Sequence, residues 1–169
     1  MAETAEQYRK RMFSHIQGHD PLKLLAGAPQ KVESLIKGVP AAKLRRPPAP
    51  GKWSICEIVA HLADVELVAG YRIRMILGAP GTPIQAFDQD EWASVMQYQK
   101  RDVRKALEQY RALRNANHSL LKSLRPKQWK LSGIHSERGE ESIETIVGMF
   151  AGHDINHREQ IKRILAPKK

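Results

Sequence analysis

An apolar stripe near the C-terminus carries two histidines in its middle. It reads Ile143, Ile146, Phe150, His153, His157, Ile161 and Ile164, a spacing of three and four residues that fits the inward face of an amphipathic α-helix. A chain built this way must pack a long helix against others and still find partners for two imidazoles in the seam. Residues at i and i+4 stand roughly 5–6 Å apart at Cβ, so His153 and His157 can reach a common point. A neutral imidazole carries one donor and one acceptor, and burying either unpaired costs about 1–3 kcal/mol. A shared metal ion is the economical partner. His61 sits in a second strongly helical segment, Ile58-Val59-Ala60-His61-Leu62-Ala63-Asp64, and three histidines on two helices would make an open metal site.

The rest of the chain reads as helix. A first core helix is expected from Pro21 to Lys37, kinked at Pro29 because a mid-helix proline removes a hydrogen bond and crowds the preceding turn. The stretch before it, to His19, reads as a loose helix. Arg45-Arg46-Pro47-Pro48-Ala49-Pro50-Gly51 forms an extended connection. Ser54 and Glu57 make a capping box for the next helix, which continues to about Leu77 until Gly78-Ala79-Pro80-Gly81 stops it. A short helix covers Asp90 to Met96. The third long helix, capped by Asp102, runs to about Leu124 with a seam of Val103, Ala106, Tyr110, Leu113, Asn117, Leu120 and Leu124. A long loop from Arg125 to Gly139 precedes the last helix, which Ser142 caps and Pro167 ends. No segment shows strand alternation. The expected architecture is all-α, one domain over residues 1–169: an up-down four-helix bundle with a short additional helix and a long loop before the last helix.

Composition narrows the function classes. No segment approaches the roughly 20 apolar residues of a membrane span. The start of the chain, Met1-Ala2-Glu3-Thr4-Ala5-Glu6, has no apolar signal core, and the single Cys56 excludes an internal disulfide; a cytoplasmic location is expected. The net charge of +10 could draw nucleic acid or an anionic substrate. Its residues, among them Arg9-Lys10-Arg11, Lys43 to Arg46, Lys100 to Lys105 and Lys168-Lys169, are spread over every segment and mixed with acids. Solvated helix faces are the preferred reading, and nucleic acid is not an expected partner.

Two blocks of sequence resemble the DinB-like four-helix-bundle proteins. Lys52-Trp53-Ser54, Glu57 and His61-Leu62-Ala63-Asp64-Val65-Glu66 look like the family's second helix. Gly133, His135, Gly139, Ser142, Ala151-Gly152-His153-Asp154-Ile155-Asn156-His157 and Gln160-Ile161 look like its last loop and helix. The similarity spans roughly Asp20 to Leu165. It implies a metal held by His61, His153 and His157, with zinc or nickel favoured. It also implies a homodimer and chemistry on a small-molecule substrate, either S-transfer from a low-molecular-weight thiol or hydrolysis. Fold and site follow from such a resemblance more firmly than reaction.

Other residues carry subsidiary expectations. Asp64 and Asp154 are candidates to accept the outward N–H of the histidines. Glu57, one turn before His61, is a candidate general base, with its capping role preferred. His135 is a candidate for substrate contact, set against plain exposure on a loop. Trp129 and Asn117 are further cavity candidates, with core packing the default for aromatics. Two rival functions stand beside the enzyme: a non-catalytic, stress-associated metal-binding module and a basic nucleic-acid-binding bundle.

Overall fold

The computed structural model describes residues 3–167; Met1, Ala2, Lys168 and Lys169, counted above in the N-terminal and basic stretches, lie outside the described residues. Helices α1 (Ala5–Ser14), α2 (Pro21–Ala26), α3 (Ala28–Ile36), α4 (Ala41–Arg45) and α5 (Ile55–Gly78) come first. Strand β1 (Pro83–Ile84), α6 (Gln89–Val95), α7 (Val103–Lys122), β2 (Ser132–His135), β3 (Gly139–Ser142) and α8 (Ile143–Leu165) follow. The four-helix bundle consists of α5, α7, α8 and the broken pair α2–α3, with α1 packed along α8.

Local chemistry sets the helix starts. The Ser54 hydroxyl accepts from Glu57 N while the Glu57 carboxylate accepts from Ser54 N, closing the capping box of α5. Asp102 Oδ1 accepts from Arg104 N and Lys105 N at the start of α7, and Ser142 Oγ accepts from Thr145 N at the start of α8.

Three expectations need correction. Pro29 does not kink one helix; the chain breaks at Gly27, and Pro29 sits in the first turn of α3, where its missing N–H costs nothing. The N-terminal helix is not loose: Thr4 caps it with a full capping box, and Met12 is completely buried against the bundle. The long loop is not structureless. A 3₁₀ turn at Pro126–Lys130 leads into β2, which pairs antiparallel with β3 and parallel with β1 in a three-stranded sheet, Ile84 opposite His135.

The core divides in two. Ile55, Ile58, Val59 and Leu62 of α5 meet Leu107 and Tyr110 of α7 and Ile161 of α8 at one end. Ile73 and Ile76, Leu121, and Ile143, Ile146 and Val147 of the same three helices meet at the other. Between these clusters each helix also buries polar residues: Glu66 on α5, Arg114 and Asn117 on α7, Asp154 and His157 on α8. Among the described residues no helix is long and apolar enough to cross a membrane.

Candidate metal centre

His61 on α5 and His153 and His157 on α8 come together inside the bundle, each buried, with ligand-capable nitrogens all within 4.8 Å of one another. The four-residue spacing on α8 puts two rings on one face, and the packing of α5 on α8 delivers the third. His153 Nε2 lies 3.0 Å from His61 Nε2 and 3.0 Å from His157 Nε2. The Trp53 ring covers the cluster, its centroid 4.8 Å from that of His61 and stacked at 6.2 Å on His157.

Proton counting tests whether this arrangement suits a cation. Gln160 Oε1 can only accept, so His157 Nδ1, 2.9 Å away, carries that ring's proton. His157 Nε2 then presents a lone pair to the cluster. His153 Nε2 has one proton at most for two contacts. In every arrangement of neutral rings, one 3.0 Å contact therefore lacks a well-directed proton. Extra protons are not the answer, because burial pushes all three rings below the usual histidine range, His157 down to about 4. Three neutral nitrogens sharing one focus are the donor set of an open divalent-metal site.

Two cavities meet at His153. One, of about 310 Å³, is bordered by His61, His153, Arg72, Phe87, His135 and Phe150. The other, of about 300 Å³, is bordered by His153, His157, Trp53, Lys52, Arg11 and Asn156.

The remaining candidates divide. His135 is not an exposed loop residue: it ends β2, is 2% exposed, and borders the first cavity. Its Nδ1 accepts from Glu137 N at 3.1 Å, so the ring proton sits on Nε2, which has no partner. Trp129 packs in the apolar cluster at the far end of the bundle, and Asn117 donates to Glu66 O and Glu66 Oε1, away from both cavities. Gly70 makes room for that amide, since a Cβ there would lie 2.3 Å from Asn117 Oδ1. Neither Asp64 nor Asp154 hydrogen-bonds a histidine of the cluster. Asp64 Oδ1 accepts from Arg101 at 2.9 Å and Asp154 Oδ2 from Arg114 at 2.6 Å, because a guanidinium is the stronger partner for a buried carboxylate. Glu57 Oε2 accepts from Ser54 N and Ser54 Oγ at 2.7 and 2.6 Å, which commits it to the cap.

The sequence reading missed Arg114, Glu66 and Arg72. Arg114 donates to Glu66 Oε2 through two nitrogens, to Asp154 and to the Leu25 carbonyl, all within the bundle. Burial raises the Glu66 carboxyl, with Arg114 pulling it back. The available signal was register: Tyr110, Arg114, Asn117 and Leu121 share one helical stripe, and His61, Val65, Val68 and Arg72 share another.

The sequence profile of the DinB superfamily matches residues 24–161. A protein of Oceanobacillus iheyensis, named as a candidate metal-dependent hydrolase, is 28% identical over 118 residues, 70% of this chain and 68% of that protein. A second protein of that organism, named in the same way, is 25% identical over 148 residues, 88% of this chain and 85% of its own. The structure of YfiT from Bacillus subtilis, described as a probable metal-dependent hydrolase with an unusual four-helix bundle topology, superposes with a TM-score of 0.79 at 22% identity. The superposition covers 96% of this chain and 88% of that one. This last likeness concerns the fold.

Proposed function

The chain belongs to the DinB superfamily, and from that premise we propose that it is a divalent-metal-dependent hydrolase of small molecules whose ion is held by His61, His153 and His157. The observation that carries the reading is the set of 3.0 Å contacts among three buried nitrogens that neutral rings cannot satisfy with their own protons. The names of the relatives point the same way.

A divalent ion on three imidazoles supplies Lewis acidity towards a carbonyl or phosphoryl oxygen and lowers the pKa of water. The protein's part is to prepare the nitrogens. Gln160 fixes the His157 tautomer by accepting a hydrogen bond from Nδ1–H, so Nε2 faces the cluster as a lone pair. Burial keeps all three rings neutral at pH 7, the form that ligates. Trp53 excludes water from one flank of His61 and His157.

A second reading draws on the two cavities. Both reach His153, which leaves room for two reactants to approach from different sides. That arrangement suits transfer of a low-molecular-weight thiol to an electrophile, the thiol being held as thiolate. The readings separate in one assay: hydrolysis needs only water, whereas transfer stops when thiol is withheld.

Metal analysis of protein purified without an affinity tag tests the shared premise. About one zinc or nickel per chain is expected, falling below a tenth of that in His61→Ala and His157→Ala. Full metal content in either variant, or none in the parent protein after incubation with zinc and nickel, refutes the metal site.

A further inference from the structure

We infer that the cavity beside the histidines is an oxyanion subsite built on Arg72, and that the substrate is a small amphipathic molecule with a carboxylate or phosphate at the end remote from His61. The inference rests on the reading of the histidine cluster as the reacting centre.

Two arginines are buried among the described residues, and they are treated differently by the fold. Arg114 is met by two carboxylates at 2.6 Å. Arg72, 7% exposed, has no carboxylate partner among the described residues; it donates one hydrogen bond, to the Gln85 carbonyl at 2.6 Å, and lies over the Phe87 ring. Removing a guanidinium from water without a countercharge costs several kcal/mol.

The surroundings favour an anion as the missing partner. Arg72 borders the cavity of about 310 Å³ together with Arg138 and His135. Arg138 already has a partner, donating through two nitrogens to the buried Glu141 at 2.7 and 3.0 Å. His135 brings the Nε2 proton that has no acceptor. Two acids also border the cavity, but Glu3 is paired with Arg11 and Glu137 is exposed to solvent. Val65, Phe87, Met149 and Phe150 give the wall apolar surface for a hydrocarbon body, beside the polar Thr4, Tyr8 and Gln89. A guanidinium fork matches the two oxygens of a carboxylate or a phosphate alike.

Helix geometry adds a ruler. His61 and Arg72 share one face of α5, three turns apart, which is about 16 Å between Cα atoms along the axis. Both side chains lean toward the helix N-terminus. The ligand's anion and its reacting bond are therefore at opposite ends of the molecule, so the subsite can be probed without the metal.

Calorimetric titration with 4-phenylbutyrate, 2-phenylethyl phosphate and neutral 4-phenylbutanol tests this, on zinc-loaded and on chelator-treated protein. At least one anion is expected to bind at least tenfold more tightly than the alcohol in both forms, its charge distinguishing a carboxylate from a phosphate subsite. Arg72→Gln is expected to erase that preference while zinc stoichiometry stays unchanged, and Arg138→Gln to weaken it about threefold. The comparison of anion with alcohol on the parent protein stands even if Arg72→Gln fails to fold. Equal binding of all three, no saturable binding of either anion, or an undiminished preference in folded Arg72→Gln overturns the subsite. An anion preference that appears only with zinc and survives Arg72→Gln places the anion on the metal and likewise overturns it. Failure of zinc to bind while the anion preference persists refutes the metal reading alone.

Discussion

Gly152 on α8 lies so close to Met12 on α1 that a Cβ built on it would stand 2.1 Å from the Met12 carbonyl oxygen. The obstacle is backbone, which cannot swing aside as a side chain can. The N-terminal helix is thus seated on the turn of α8 that carries His153, and Arg11 reaches from α1 to Asn156 at 2.9 Å. Gly152→Ala is expected to cost about 2 kcal/mol through overpacking, and to lower zinc affinity by displacing the turn next to His153. Urea denaturation and zinc titration on the same samples check both. An unchanged midpoint would mean that α1 is free to shift.

Much of this arrangement could be read from the chain because its chemistry is local. The starts of α5, α7 and α8 follow from Ser54, Asp102 and Ser142, whose side chains bond the very next turn. His153 and His157 were visible because, four residues apart, they interrupt an apolar stripe, and His61 because it stands in a strongly helical segment that resembles the family's second helix. The small sheet was not visible, because β1 is two residues long and Ser132-Gly133-Ile134-His135 alternates too briefly to register. Its strands exist through pairing with each other, which no single segment encodes. That pairing is also what buries His135. Arg114 escaped notice for a different reason: arginine at an apolar position ordinarily signals a solvated face, and only the acids brought by α5 and α8 reverse that reading. Asp64 and Asp154, candidates to accept from the histidines, pair instead with Arg101 and Arg114.

Removing Arg114 leaves Glu66 and Asp154 buried together without their cation. Arg114→Leu is expected to destabilise the protein by about 3–5 kcal/mol. Adding Glu66→Gln and Asp154→Asn should recover a large share, since the cost lies in the orphaned charges. Glu66 already sits above the usual carboxylate range in the parent protein, so the folded variant holds its protons more tightly than the unfolded chain. Its deficit should accordingly shrink as pH falls towards 4.5. Thermal denaturation of the single and triple variants at pH 7.5 and pH 5 decides the point; equal losses in both would assign Arg114 a packing role.

Acid should unfold the metal-free protein through its histidines. His157 titrates at about 4 in the fold against 6.5 in the free side chain, because burial penalises its charged form. The unfolded chain therefore binds the extra proton first as pH drops below 6.5. Stability is complete above that value, declines between about 6.5 and about 4, and levels off below. At about 1.4 kcal/mol per pH unit, this ring alone accounts for about 3 kcal/mol. Urea titrations in chelator at pH 7.5, 5.5 and 4.5 should fall at least that steeply, because burial lowers His61 and His153 as well, and His157→Gln should make the slope shallower by this ring's share. A parent protein equally stable at all three pH values would show that the rings are hydrated and free to charge.

Glu57 offers a clean separation of cap from catalysis. Its carboxylate accepts from both the amide and the hydroxyl of Ser54, so it closes the first turn of α5 ahead of His61. Glu57→Gln keeps an acceptor and the N3 half of the capping box. It is expected to lose less than about 1 kcal/mol, whereas Glu57→Ala forfeits the box and should lose about 1 kcal/mol or more. Zinc stoichiometry should be the same in both. On the proposed hydrolase reading, turnover in the glutamine form should match that of the parent protein, since a capping role needs an acceptor and no titratable proton. A thousandfold loss of turnover in Glu57→Gln with stability intact would instead make this carboxylate the base, released from Ser54 during the reaction.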